Sequence, residues 1–163
     1  MCVYWHSTMI RRLAALAILI LFETGTSGAL QPVQALDAQS ARMVADGVVA
    51  DIIVGNTKSL FARMEAVFRA ASSEDALPSV LRPMFAHGGK PLEAEFKAAD
   101  SGLKIYLDGS KKPLIKVWYA LRTTKSRKGT YFMFVEVVPD GGRLACTTFS
   151  IVAFAKDVPQ HLK

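Results

Sequence analysis

The sequence predicts an α+β domain, three N-terminal helices packed on a bent antiparallel sheet of about four to six strands. Three observations carry that expectation. Apolar residues recur at helical spacing from Ala41 to the neighbourhood of Ala86, the period shifts from about 3.6 to 2 after Gly89, and helices precede strands without alternating with them. A length of 163 residues, 51% of them hydrophobic and 21% charged, fits one compact domain and excludes a disordered polyelectrolyte.

The first helix is read from Ala41, Val44, Ala45, Val48, Val49, Ile52 and Ile53, whose alternating steps of three and one paint a single stripe. Asp37 or Ser40 can cap its start, and Gly55-Asn56 stops it because both residues tolerate a left-handed backbone. Thr57 is the expected cap of a second helix carrying Leu60, Phe61, Met64, Val67 and Phe68. Ser72 and Asp75 stand at capping-box spacing, so a third helix is expected from about Glu74 to Ala86, kinked or shortened by Pro83 and closed by His87-Gly88-Gly89.

Beyond Gly89, Leu92, Ala94, Phe96 and Ala98 alternate with polar residues, and Leu103, Ile105 and Leu107 do the same. These read as half-buried antiparallel strands. Residues 114–123 give a strand with Ile115, Val117, Tyr119 and Leu121 on its apolar side and Lys116, Trp118 and Arg122 on the other. Residues 130–138 are apolar on both sides except at Glu136, the mark of a central strand. Pro139-Asp140-Gly141-Gly142 makes a hairpin turn into a last strand over residues 144–154, followed by a frayed tail.

Residues 1–35 read as a secretory signal peptide. Arg11-Arg12 leads into the apolar run 13–22, whose 10 residues are too few for a bilayer core that takes about 20, and Ala29 and Ala35 each follow a small residue at signal-peptidase spacing. Cleavage after Ala35 is the preferred reading, Met9 is an alternative start, and residues 36–163 form the single exported domain, periplasmic or secreted. Cys2 leaves with the leader, so Cys146 has no partner for an internal disulfide.

Charge is uneven. Residues 36–100 hold 7 Lys/Arg against 9 Asp/Glu, whereas residues 101–163 hold 11 against 4. The basic residues gather at two turns, Lys111-Lys112 and Lys125, Arg127 and Lys128, which could attract an anionic envelope partner. No aromatic interleaves either cluster, so solvated loops are the preferred reading and no nucleic acid is expected.

The element order, the Gly55-Asn56 break, the second helix with Phe61 and Phe68, the Ser72-Ser73-Glu74-Asp75-Ala76-Leu77 helix start and Gly88-Gly89 before the strands together resemble bacterial exported domains of the nuclear-transport-factor-2-like superfamily. The resemblance spans about residues 40–155 and implies a bent sheet wrapped on helices with an apolar pocket between them. That superfamily hosts isomerases, dehydratases and binding modules, so the likeness leaves activity open.

A small pocket enzyme of the ketosteroid isomerase or dehydratase type needs a carboxylate beside a tyrosine in that pocket. Tyr119 and Tyr131 are the tyrosine candidates, but Glu93 and Glu95 fall on a polar side and Asp46 and Asp51 lie off the first helix's stripe. A noncatalytic binding or interaction module is therefore the expected function, with the enzyme as alternative. Its ligand-binding candidates are Tyr119, Tyr131, Met133 and Trp118, its ligand a small apolar molecule, and no cofactor or catalytic residue is assigned. His87 and His161 cannot pair as metal ligands, and His87 is better placed to favour a helix C-terminus. Because Phe132, Phe134 and Val138 oppose Tyr131, Met133, Val135 and Val137, one side of the central strand needs a second cover. A homodimer through the sheet is one way to provide it.

Overall fold

The structure is a computed structural model and describes residues 36–127, 130–153 and 159–160, with the side chain of His87 left out. The leader, both cleavage sites, Met9, Cys2, Lys128 and His161 lie outside the described residues. The domain is α+β: helices come first and a four-stranded antiparallel sheet follows, each strand paired with the next in sequence.

Helix α1 spans Ala38–Val54, capped by the Asp37 carboxylate on Ser40 N at 2.8 Å, and ends at Gly55, whose φ of 81° explains the glycine. The expected second helix is two. Helix α2 covers Thr57–Arg63, with Asn56 and not Thr57 as its cap, and helix α3 covers Ala66–Ala71. The break between them has a tertiary cause. Met64 makes a parallel bridge to Cys146 and Glu65 N donates to Cys146 O at 2.8 Å, so the chain leaves helical geometry to pair with the sheet.

The third expected helix also differs at its start. Glu74–Ala76 is a 3-10 turn without a side-chain cap, so the Ser72/Asp75 capping box does not form. Helix α4 is Leu77–Gly88, with Pro78 in its first turn and Pro83 carried inside it. Its C-terminal carbonyls are held by residues far along the chain: Lys125 Nζ donates to Ala86 O at 2.8 Å and the Thr123 hydroxyl donates to Gly88 O. Lys125 thus places a cation at the negative end of this helix, where the sequence also put His87, whose side chain lies outside the described residues.

The strands are β1 (Pro91–Ile105), β2 (Lys111–Thr123), β3 (Tyr131–Asp140) and β4 (Arg143–Ala153). The two alternating segments expected before residue 108 are one continuous strand. Its register slips between Phe96 and Ala98, so Phe96 lies opposite Tyr119 while Ala98 lies opposite Trp118, on the other side of the sheet.

The main core lies between the helices and one sheet face. Ala41, Ala45, Val48 and Ile52 of α1 pack with Leu60, Leu77 and the inward residues Val117, Tyr119, Leu121, Met133, Val135 and Val137, all buried. Burying a side chain of this size stabilises by about 1.5–3 kcal/mol, which is why α1 folds against the sheet in spite of Gly47 in its middle. The opposite face carries a smaller cluster of Trp118, Ala120 and Phe132, with Phe134 and Val152 against it.

Candidate functional site

Strand alternation sets the site. Trp118 pairs with Phe134, Lys116 with Glu136 and with Asp100, and Glu136 with Thr148, so all six project from the face that α1 leaves uncovered. Neighbouring strands stand about 4.8 Å apart, which would put β1 about 14 Å from β4 in a flat sheet. Yet Lys104 Nζ of β1 donates to Glu136 Oε2 at 2.9 Å and to Thr148 Oγ1 of β4 at 3.0 Å. The sheet must curl for those contacts to form, carrying the end of the β1–β2 hairpin across this face.

A latch fixes the curl. The Tyr106 hydroxyl donates to Glu65 Oε1 at 2.8 Å and Lys112 Nζ to the same oxygen at 2.6 Å, while Glu65 N is bound to Cys146 O of β4. Glu65 is 2% exposed. Burial pulls its carboxyl upward, but the Lys112 ammonium and the Tyr106 hydroxyl outweigh it and hold the group below its ordinary 4.5. Thr147 adds a weaker pull, and Oε2 meets no partner with full hydrogen-bonding geometry. Burial and the same carboxylate push the Tyr106 phenol up to about 12. The Arg143 guanidinium secures the segment from below, donating to Ala62 O and Met64 O at 2.9 Å each.

Between the curled hairpin and the sheet lies a groove of about 600 Å³ lined by Leu103, Leu114, Lys116, Trp118, Phe134 and Pro159, with Asp100 and Glu136 at its polar side. The aromatic floor is a tilted pair, Trp118 and Phe134 with centroids 5.4 Å apart. Trp118 Nε1 donates to Asp100 Oδ2 at 3.0 Å, so the indole needs nothing from a ligand. Lys116 Nζ stands 4.6 Å from the Phe134 centroid and 3.0 Å from Glu136 Oε1. Glu136 therefore lies between two ammonium groups. Burial raises its pKa, yet Lys104 and Lys116 together hold it below 4.5, leaving an anion already neutralised.

The four binding candidates do not come together. Trp118 floors the groove, whereas Tyr119 and Met133 are buried in the main core beneath α1 and Tyr131 is half-buried at its edge. Tyr131 packs on Gly88, where a Cβ would lie 3.2 Å from its ring. The expected apolar pocket between helices and sheet is filled by these side chains. A second depression, of about 500 Å³, lies instead on the helical layer between Ile52, Thr57, Leu81, Arg82, Phe85 and Lys90.

Acid–tyrosine pairing, sought as the sign of catalysis, does occur. The Tyr119 hydroxyl donates to Asp46 Oδ1 at 2.6 Å, and burial followed by that carboxylate pushes its pKa up. Asp46 is half-exposed and also faces Arg42 at 3.6 Å. Tyr119 and Asp46 line neither of these two depressions, and their hydrogen bond joins α1 to β2. Cys146 is likewise inert: burial pushes its thiol up to about 12. Among the described residues, no three His, Cys, Asp or Glu side chains converge as metal ligands, and no helix is long and apolar enough to cross a membrane.

Sequence reasoning found Trp118 and its side of the strand. It missed Phe134, Asp100, Lys104, Lys116 and Glu136 as a group and missed Glu65 and Tyr106 entirely. Lone polar residues on apolar strands, Glu136 above all, were the available signal. No family model, curated protein or solved structure matches the chain.

Proposed function

We propose that this chain is an exported, noncatalytic binding module whose ligand site is the Trp118–Phe134 groove. One observation carries the reading. The groove joins an aromatic floor to charges that are already paired, which suits holding an apolar group and leaves no free acid or base for chemistry. General acid–base work needs a titratable group with access to the substrate and a pKa near the working pH, and Glu136 is held low by two lysines. The leader-like pattern at Arg11-Arg12 and residues 13–22 supports export, to be checked by N-terminal sequencing of the secreted form for a start at Leu36.

The test uses 8-anilinonaphthalene-1-sulfonate, whose emission rises in apolar sites. Phe134→Ala removes half of the floor and should weaken its binding by about tenfold, equivalent to about 1.4 kcal/mol. Leu81→Ala, in the helical depression, should leave it within twofold. Equal loss in both variants would remove the groove from consideration. A second copy seated on the same face is the other occupant the apolar pattern admits. Sedimentation at micromolar concentration separates the two, since probe binding by a monomer belongs to the groove.

A further inference from the structure

We propose that the groove is a peptide site whose resident occupant is the C-terminal segment of the same chain, anchored by Pro159. The inference rests on the groove being the binding site and adds the class of ligand. Pro159 is half-buried and lines the groove together with Trp118 and Phe134.

Connectivity allows it. Strand β4 ends at Ala153 opposite Tyr131, and Phe134 pairs with Ser150, so the groove lies three residues back along β3. Six residues of chain from Ala153 to Pro159 span up to about 20 Å when extended, ample for a return over that distance.

The chemistry also fits. A proline ring is apolar and compact and brings no N–H that would be stranded against aromatic faces. Its fixed φ lowers the ordering cost of an extended peptide, the reason aromatic grooves recur as proline-peptide sites. Here the indole N–H is already satisfied by Asp100, so the floor is free to make apolar contact alone. The groove's lining carries both signs, Lys116 beside Glu136 with Asp100 nearby. The sequence places one charge of each sign, Lys156 and Asp157, just ahead of Val158-Pro159. A partner peptide of the same kind, extended and apolar with a proline beside mixed charges, would compete with the tail for this seat.

The experiment uses the full chain with Trp5→Phe, which leaves Trp118 as the single indole, and a synthetic peptide of residues 154–163 as probe. Replacing Pro159 with Asp should displace the tail, shift the Trp118 indole N–H resonance and make added peptide bind at least about tenfold more tightly than to the Pro159 protein, since an occupied site is competent only in the fraction where the tail has left. Adding Phe134→Ala to the Pro159→Asp chain should then weaken peptide binding by about tenfold. Pro159→Ala gives an intermediate gain and guards against an effect of the new charge. Equal peptide affinity for the two proteins would overturn the proposal, as would no peptide binding where the anilinonaphthalene probe still binds; in both cases the groove reading survives. An indole shift between the two proteins that vanishes on dilution would also overturn it, because the tail would then come from a second copy.

Discussion

The two faces of the same sheet use their apolar residues in opposite ways. Beneath α1, Val117, Leu121, Met133, Val135 and Val137 meet other aliphatics, and the Tyr119 to Asp46 contact opens toward solvent. On the other face Trp118, Ala120 and Phe132 sit among ion pairs and an open groove. Close packing gives the first face its stability and leaves no space for a ligand, while the second gives up packing for a shaped, charged recess. On the proposed reading, stability and recognition are divided between sides of one strand, residue by alternate residue.

The sharpest way to break that contrast is to truncate one residue on each face. Leu121→Ala, fully buried under the helices, should cost about 3 kcal/mol in urea unfolding, whereas half-buried Phe134→Ala should cost about 1.5 kcal/mol and mainly impair binding. Equal losses would mean that the second face is as much a core as the first.

A somewhat smaller effect should come from the latch. Glu65→Ala strands the Tyr106 hydroxyl and the Lys112 ammonium, and because Lys112 stays partly solvated the loss should be about 2 kcal/mol. Loosening the hairpin should also weaken the groove, so probe binding ought to fall even though Glu65 does not line it. Retention of full binding in a folded Glu65→Ala protein would separate the latch from the site.

The pH dependence sharpens the same point. Glu65 and Glu136 both have lowered pKa values in the folded chain, so each adds stability that is complete above about 4.5 and is lost as pH falls through the lower folded value. Acid unfolding of the wild type should therefore steepen below pH 4.5, and Glu136→Gln should blunt it. An unchanged profile in that variant would show that Glu136 contributes nothing through its charge.

Tyr119→Phe, on the packed face, should have the smallest effect. It removes one hydrogen bond to a half-exposed partner that water can replace, a loss of about 1 kcal/mol by thermal unfolding, with probe binding untouched. A loss of binding here would revive the tyrosine as part of a ligand site.

Local pattern made one of these faces legible and hid most of the other. The 3, 1 spacing of α1 and the alternation in β2 are properties of consecutive residues, so the helix stripe, the Gly55 stop and the opposition of Trp118 to Tyr119 could be read directly. The break at Met64-Glu65 could not, since its cause is a bridge to Cys146 far along the chain. The slip near Lys97 reversed the parity of β1 and made Ala98 appear to share a face with Phe96. The latch joins Glu65 to Tyr106 and Lys112, 41 and 47 residues away, through a curl that alternation alone does not encode. Glu136, a lone acid in an apolar strand, was visible as an exception, but its two lysine partners come from other strands.

Amide chemical-shift mapping of the anilinonaphthalene probe on the full chain tests the division most directly. Titration should move the signals of Gly102, Leu103, Lys116, Trp118, Phe134 and Glu136 and leave those of Leu81, Arg82 and Phe85 in place. Shifts centred on α4 and the helical depression, with the Trp118 and Phe134 signals unmoved, would contradict the assignment of recognition to the face that the helices leave open.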